Sequence, residues 1–262
     1  MQNDQQTKVL RERTVPGLHA GLYSVFAQHV AKELSILDLG CGSGAWAERL
    51  RSEGYNRVWC VDADAAQYLG SSPFCQVDLN SDFSTRVSSE LAMPVFDVIT
   101  AVEVVEHLEN TSALLRVCRQ LLTPNGLLIL TTPNVSCAPG RLRFLYYGQL
   151  RHFDEHGDPT HINPIFPRLL TALAESNGFK LQGILPLPNS HTFHGTSMLN
   201  ATLARLIGSV VTGETTGDCT LFILKRHKVS EITPEIAPNS QAKHEPIDAR
   251  LMSGRPSITP CV

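Results

Sequence analysis

The stretch that decides the fold reads Ile36-Leu37-Asp38-Leu39-Gly40-Cys41-Gly42-Ser43-Gly44. Its first four residues form a mostly apolar run, which is typical of a strand buried inside a parallel sheet. Three glycines then alternate with other residues, and glycine lets the backbone turn tightly and approach a ligand closely. In open α/β sheets a nucleotide-like cofactor binds at this place, beyond the carboxyl end of a strand and beside a helix N-terminus. The stretch therefore predicts a nucleotide-like cofactor site.

Strand-like and helix-like segments alternate along the chain, and such alternation is typical of parallel sheets. Apolar runs predict strands at 35–39, 57–62, 74–78, 95–101, 127–131, 181–185 and 220–224. Helical spacing of apolar residues predicts helices at 15–31, 45–53, 108–122, 165–176 and 197–211. We therefore expect an α/β fold of the Rossmann-like, doubly wound kind, with a mostly parallel seven-stranded sheet and helices on both faces.

The length and the local composition predict the domain organisation. The chain has 262 residues, which is enough for one sizeable α/β domain. We assign residues 1–14 to a flexible N-terminus and residues 15–228 to one domain. Within that domain, the irregular segment 135–164 is an insertion that we expect to act as a lid or substrate-binding element. Residues 229–262 have the composition of a disordered tail.

Composition also argues against several classes of protein. The net charge of −3 gives no general attraction to nucleic acid or to an anionic membrane. Seven cysteines without a CxxC pair indicate a reducing compartment, not a disulfide framework or a structural zinc site. The first residues are polar, and no stretch approaches the roughly 18 apolar residues of a transmembrane segment. We expect a soluble, cytoplasmic protein, and the sequence leaves its oligomeric state open.

An acidic side chain lies at or near the end of each of the first three predicted strands. Asp38 precedes the first glycine, Asp62 ends the second strand, and Asp78 ends the third. Carboxylates accept hydrogen bonds from a ribose diol or an amine but repel phosphates. The glycine spacing also differs from the G-x-G-x-x-G pattern of dinucleotide sites. A cofactor with hydroxyls and an amine is therefore favoured over a dinucleotide.

At these residues the sequence resembles the class I S-adenosylmethionine-dependent methyltransferases, and within them the ubiquinone-biosynthesis O-methyltransferase-like group. The resemblance implies that Asp38 and the turn Gly40–Gly44 lie against the methionine moiety of S-adenosylmethionine. It implies that Asp62 holds the ribose hydroxyls, and that Asp78 contacts the adenine amine with Leu79 beside the ring. The complete set of cofactor-binding residues predicted in this way is Asp38, Gly40, Cys41, Gly42, Gly44, Asp62, Ala63, Asp78, Leu79 and Glu103.

The run Glu103-Val104-Val105-Glu106-His107 is the second unusual feature of the sequence. On a helix, Glu103, Glu106 and His107 would share one face, and two carboxylates with an imidazole suit a divalent cation such as Mg²⁺ or Mn²⁺. Two methyltransferase subfamilies carry this run: the ubiquinone-biosynthesis O-methyltransferases and the enzymes that 2′-O-methylate the 3′ ends of small RNAs. The resemblance implies a metal site, to which His161, or else His156, would add a later histidine.

The same cluster supplies the candidate catalytic residues His107, His161 and Glu106. Without a metal, His107 or His161 is a candidate general base that takes the proton of an acceptor hydroxyl. Glu106 and His107 have a simpler interpretation as substrate-orienting or helix-capping residues. Methyl transfer itself needs mainly proximity and an in-line approach.

The methyl acceptor is the least determined part of the sequence analysis. Arg141, Arg143 and Arg151 are interleaved with aromatic residues in the insertion, a pattern that suits an anionic or aromatic substrate, suits RNA, or suits a solvated helix face. We favour O-methylation of a small molecule, with a divalent metal as a further expectation. The alternatives are an RNA 3′-end 2′-O-methyltransferase and a non-catalytic S-adenosylmethionine-binding protein. RNA is the less favoured partner because the chain is acidic overall.

Overall fold

The structure is a computed structural model that describes residues 10–155, 157–188 and 216–227. Its strands are β1 (Ile36–Leu39), β2 (Val58–Asp62), β3 (Phe74–Gln76), β4 (Phe96–Val102), β5 (Leu122–Pro133), β6 (Phe179–Leu187) and β7 (Cys219–Arg226). Its α-helices are α1 (Leu18–His29), α2 (Ala45–Ser52), α3 (Ser84–Glu90), α4 (Thr111–Leu121), α5 (Ala138–Tyr147) and α6 (Pro167–Ser176). A short 3₁₀ helix spans Val105–His107.

The strands form one seven-stranded sheet in the order β3-β2-β1-β4-β5-β7-β6. All neighbouring pairs from β3 to β5 are parallel, whereas β7 runs antiparallel to both β5 and β6. The mostly parallel, doubly wound sheet is therefore confirmed. The order reverses between β1 and β4, and ligands bind at such a switch point in open α/β sheets.

Helices cover both faces of the sheet, as the alternation of strands and helices predicts. Successive residues of β1 point to opposite faces, so Ile36 packs in the core under α1 and α2, whereas Leu37 packs in the core under α3, α4 and α6. Both side chains are fully buried. Because each face is covered, the apolar β1 run has no exposed side, and the loops at the strand ends remain free to build a site.

Two predicted boundaries are wrong. The helix predicted at 108–122 begins only at Thr111, because the side chain of Asn110 accepts the backbone N–H of Ala113 and caps the helix there. The insertion at 135–164 is also less irregular than predicted, since its first part folds as α5. The helix predicted at 197–211, the tail at 229–262, His156 and residues 1–9 lie outside the described residues. Within the described segments, no helix is both long and apolar enough to cross a membrane.

Candidate active site

A cavity of about 690 Å³ opens at the carboxyl ends of β1, β2 and β4. This volume is in the range of small-molecule and cofactor sites. One wall is formed by the glycine turn and the predicted cofactor acids, and another by histidines from two distant segments. The predicted site residues in its lining are Asp38, Gly40, Cys41, Gly42, Asp62, Ala63, Asp78, Leu79, Glu103, His107 and His161.

The glycine turn has the backbone conformation that its composition predicts. Gly40, Gly42 and Gly44 have φ angles of +64°, +54° and +90°. Such angles are strained for residues with a side chain. At Gly40 a Cβ would also lie 2.6 Å from the Cγ2 of Val104, so the close approach of the turn to the segment after β4 requires glycine.

Asp38 is completely buried at the end of β1, and Thr100 on the neighbouring strand β4 lies directly opposite it. The Thr100 hydroxyl donates to one carboxylate oxygen at 2.7 Å. The other oxygen has no hydrogen-bond partner among the described residues. Burial raises the pKa of Asp38 to about 7, and nearby Asp62 adds to the rise. A positively charged ligand group beside the free oxygen would favour the carboxylate form.

Asp62 joins the second strand to the glycine turn. One of its oxygens accepts the backbone N–H of Gly42 at 2.8 Å, and the other accepts the N–H of Asp64 at 2.9 Å. The Nε2 of Gln67 adds a longer contact of 3.3 Å. A carboxylate has about four lone-pair positions, so Asp62 keeps acceptor capacity for a ligand diol. The two protein contacts hold both oxygens at the cavity wall.

The remaining predicted cofactor residues lie beyond β2 and β3. The strand β3 ends two residues before Asp78, whose Oδ1 accepts the backbone N–H of Asn80 at 2.9 Å in a tight turn. Asp78 is exposed at the cavity rim, whereas Leu79 is buried beside it, and Ala63 follows Asp62. This wall therefore combines an acid with an apolar side chain. The roles of these residues in cofactor binding stay predictions.

Glu103 does not lie on a helix, and the predicted helical face of Glu103, Glu106 and His107 is wrong. Its φ of +54° belongs to the left-handed region, which turns the chain sharply after β4. The Glu103 carboxylate accepts the hydroxyl of Thr131 at 2.9 Å and contacts the thiol of Cys219 at 3.4 Å. Burial raises its pKa to about 7. Glu103 thus lines the cavity but is separate from the candidate metal ligands.

Glu106, His107 and His161 do come together: one ligand atom from each lies within 4.8 Å of the others. The contact depends on main-chain hydrogen bonds between distant segments. The carbonyl of Glu106 accepts the N–H groups of Ile162 and Asn163 at 3.0 and 2.9 Å. These bonds hold the segment that carries His161 against the 3₁₀ helix that carries Glu106 and His107.

Backbone acceptors orient both imidazoles in the same way. The Nδ1 of His107 lies 3.2 Å from the carbonyl of Thr160, and the Nδ1 of His161 lies 2.9 Å from the carbonyl of His152. The Thr160 hydroxyl also lies 2.9 Å from the Nδ1 of His107, but it donates its proton to Asp158 at 2.6 Å and so acts as an acceptor there. Because a carbonyl also only accepts, these contacts assign the proton to Nδ1 in each ring and leave the lone pair on Nε2. Burial lowers the pKa of His107, with a further contribution from nearby His161. The Nε2 of His107 is therefore available to accept a proton or to bind a metal.

Glu106 is the most deeply buried member of this cluster, with no exposed surface. Neither of its carboxylate oxygens has a hydrogen bond of ordinary geometry to a described residue. Burial, together with the negative charge of Glu103, raises the pKa of Glu106 well above its usual range. A buried carboxylate without partners is costly, so this side chain either holds a proton or has a cationic ligand beside it.

The three arginines of the insertion are engaged inside the protein. Arg141 donates to the carbonyl of Ser136, and Arg143 pairs with Asp154. Arg151 is buried and pairs with the fully buried Asp218 at 2.7 Å. Of the interpretations that the sequence leaves open, these contacts favour a structural role for the arginines over an open surface for phosphates.

Two features of the cavity escape the sequence analysis. Residues 10–14 belong to the predicted flexible N-terminus, but the backbone N–H of Arg11 donates to Ser43 Oγ at 3.1 Å, and Ser43 Oγ donates back to the Arg11 carbonyl at 3.0 Å. Arg11 and Arg13 consequently line the cavity. His152 is a further histidine in the lining, in addition to His19, His107 and His161. No local motif marks these residues, because the contacts depend on the folded chain.

Comparisons with known proteins identify the family of this chain. A family model of the methyltransferase domain matches residues 12–183, which is more than half of the chain. The mitochondrial ubiquinone biosynthesis O-methyltransferase of Bos taurus is 28% identical over 200 residues, covering 71% of this chain and 54% of the bovine protein. The chain thus spans about half the length of that relative.

The matches to two further proteins extend over a larger share of those proteins. A protein of Mycolicibacterium smegmatis named as a probable S-adenosylmethionine-dependent methyltransferase is 28% identical over 213 residues, or 76% of this chain and 74% of that protein. The crystal structure of a SAM dependent methyltransferase from Archaeoglobus fulgidus superposes with a TM-score of 0.56 at 18% identity, covering 79% of this chain and 92% of that one. At this identity the structural match concerns the fold.

Proposed function

Because the chain belongs to the family of class I S-adenosylmethionine-dependent methyltransferases, we propose that it transfers a methyl group from S-adenosylmethionine to a hydroxyl oxygen of a small molecule. One observation carries the proposal: a single cavity has the glycine turn with its acids in one wall and His107 and His161 in another, and buried Glu106 lies beside these two imidazoles. A donor held on the first wall would face an acceptor held on the second.

On the cofactor wall, each acid has a distinct part in the proposal. The methionine moiety would lie against the Gly40–Gly44 turn, and the free oxygen of buried Asp38 would accept a hydrogen bond from its amine. Asp62, already fixed by Gly42 and Asp64, would accept the ribose hydroxyls. Asp78 and Leu79 at the rim would contact the adenine. Arg11 supplies a cation at the cavity edge for the cofactor carboxylate.

On the acceptor wall, the imidazoles would manage the proton of the acceptor. S-adenosylmethionine supplies a methyl group on a positively charged sulfur. The methyl group would pass to the acceptor oxygen as the S–C bond breaks with its electron pair kept on sulfur, and the Nε2 of His107 or His161 would take the proton of the acceptor. The bonds of the two Nδ1 atoms to Thr160 and His152 keep each Nε2 lone pair free for this purpose. Holding both reactants in one cavity supplies most of the remaining advantage.

The acceptor wall also suits a divalent cation, and we include this in the proposal. Glu106 has two buried oxygens without ordinary hydrogen bonds, and His107 and His161 each present a free Nε2 beside it. Carboxylate and imidazole donors suit Mn²⁺ well and Mg²⁺ with added water ligands. A bound cation would occupy the Nε2 lone pairs of His107 and His161, so it would take the place of the imidazole base. It would supply positive charge that lowers the pKa of an acceptor hydroxyl. Glu106, His107 and His161 would hold it, and Glu103 would not.

The relatives support a hydroxyl acceptor. The bovine relative's name states O-methylation in ubiquinone biosynthesis, and the internal pairing of Arg143 and Arg151 removes two candidate phosphate contacts. We therefore favour a small hydroxyl compound over an RNA 3′ end. The chain resembles only part of the bovine protein, so the acceptor is a proposal about this cavity.

A methyl-transfer screen tests the proposal. Labelled S-adenosylmethionine is incubated with catechol, 4-hydroxybenzoate or a short single-stranded RNA, each with EDTA or with excess Mg²⁺ or Mn²⁺. We expect label in an organic product from a phenol and none in the RNA. Labelling of the RNA alone would contradict a small-molecule acceptor and indicate RNA instead. Binding of S-adenosylhomocysteine without transfer to any acceptor would contradict the proposed activity.

Equal turnover with EDTA and with added metal would contradict the cation part of the proposal. The variant Glu106→Gln separates the two roles of that side chain, since it keeps the shape but loses the charge. We expect this variant to lose the response to added metal while still binding S-adenosylhomocysteine. The matched control is Glu109→Gln, an exposed residue near the same helix whose side chain does not line the cavity.

A further inference from the structure

His152 also lies in the wall of the cavity, and so far only its backbone has a role. Its Nε2 is buried and has no hydrogen-bond partner among the described residues. Buried polar atoms in folded proteins are nearly always paired, and an exception in a cavity wall indicates a missing ligand group. The ring nitrogen therefore marks a polar contact that the protein alone does not satisfy.

The backbone of His152 is held in an unusual conformation. Its φ is +70°, in the left-handed region that residues with side chains seldom adopt. The carbonyl accepts the Nδ1–H of His161 at 2.9 Å, and a Cβ added at Gly157 would lie only 2.4 Å from that carbonyl. The His152 carbonyl is thus packed closely between the His161 ring and Gly157. Strained residues of this kind concentrate at functional sites.

The residue before His152 anchors this segment in the core. Arg151 is buried, its Nη1 lies 2.7 Å from an oxygen of Asp218, and the same nitrogen lies 3.5 Å from the Sγ of Cys137. Asp218 immediately precedes β7 and is itself in the cavity lining. The anchored neighbour and the carbonyl contact with His161 hold the backbone of His152 at the cavity wall. An orienting group needs this kind of rigid support.

We propose that the His152 imidazole binds a polar oxygen of the methyl acceptor and orients the acceptor between the cofactor wall and His161. The proposal rests on the function proposed above, because it assigns the ligand of the same cavity. In either tautomer an imidazole offers one N–H and one lone pair, so its partner is a hydroxyl or carbonyl oxygen and not an apolar group. His152 is thus a specificity-determining residue, distinct from the cofactor acids and from the group that takes the proton.

The test must separate the side chain from the backbone, and two substitutions do this. His152→Gly removes the ring but tolerates the positive φ, so the carbonyl contact with His161 is retained. His152→Asn also tolerates this conformation and keeps a polar side chain. The matched control is His29→Ala, an exposed histidine at the end of α1 and outside the cavity lining.

Catechol is titrated by calorimetry onto each protein saturated with S-adenosylhomocysteine, and thermal unfolding is recorded in parallel. We expect His152→Gly to weaken catechol binding at least fivefold, His152→Asn to recover part of it, and free imidazole to restore binding to the glycine variant. S-adenosylhomocysteine affinity should stay within twofold of the wild type in all variants.

Wild-type catechol affinity in His152→Gly, or no catechol binding to the wild type, would overturn the inference. Because the readout is binding, it is independent of turnover. A protein that binds catechol through His152 but methylates nothing would contradict the proposed function and leave this inference supported. If wild type and His152→Gly methylate catechol with the same KM, the proposed function is supported and this inference is contradicted.

Discussion

Replacing Asp62 by alanine is the most direct perturbation of the predicted cofactor site. The side chain has both oxygens fixed at the cavity wall by the N–H groups of Gly42 and Asp64, at 2.8 and 2.9 Å. A ribose diol would donate one further hydrogen bond to each oxygen. Hydrogen bonds to a charged group contribute about 1.5–3 kcal/mol each, so the loss of two at the low end costs about 3 kcal/mol. This corresponds to a roughly 100-fold weaker Kd.

The assay is calorimetric titration of S-adenosylhomocysteine into wild type and Asp62→Ala at equal salt. The matched control is Asp82→Ala, because exposed Asp82 accepts the N–H of Ser84 two residues later, as Asp62 accepts that of Asp64, but lies outside the cavity. We expect the control to bind as the wild type does. A folded Asp62→Ala protein whose Kd changes less than threefold would refute the reasoning, because it would show that the diol does not meet this carboxylate.

Three further predictions concern the turn, the pH and the buried ion pair. Gly40→Ala places a Cβ 2.6 Å from Val104 at a φ of +64°, so we expect S-adenosylhomocysteine affinity to fall at least tenfold and the melting temperature to drop; unchanged values in calorimetry and thermal unfolding would count against the close approach. Burial raises the pKa of Asp38 from 3.8 to about 7, so its contribution to stability is present below pH 4 and is lost as the pH rises to 7, by at most about 4 kcal/mol. The ligand-free wild type should therefore melt at a lower temperature at pH 8 than at pH 5.5, and Asp38→Asn should reduce that difference; an equal slope in both proteins would exclude Asp38 as its source. Arg151→Met leaves the charge of Asp218 buried and should cost about 3 kcal/mol in chemical unfolding, whereas adding Asp218→Asn should recover part of the loss; identical stability of the single and double variants would contradict the pairing.

The cofactor wall is the part of the molecule that local sequence predicts well. The apolar β1 run, the alternating glycines and the acids Asp62 and Asp78 each depend on neighbours within a few residues, and their positions follow from the α/β alternation. The same logic predicts all seven strands, although β5 begins at Leu122, five residues before its predicted start at 127. Only Asp78 differs in detail, because β3 ends before it and a tight turn carries it to the rim.

The acceptor wall is predicted only in part, because it depends on distant contacts. A helical face correctly pairs Glu106 with His107 but wrongly includes Glu103, whose left-handed φ is imposed by Thr131 and the turn after β4. The meeting of His161 with Glu106 depends on backbone hydrogen bonds that leave no trace in residue type. His152 is visible in the sequence as one of several histidines, and only the structure separates it from the others.

The docking of the His161 segment onto the carbonyl of Glu106 has a consequence for protein engineering. The donors at residues 162 and 163 are main-chain N–H groups, so this attachment is preserved for any residue at position 162 except proline, which has no N–H. Ile162 is 57% exposed and does not pack in the core. A library randomised at this position would vary the exposed surface next to His161 while the loop keeps its place. Altered acceptor range with unaltered donor affinity is the phenotype to select from such a library.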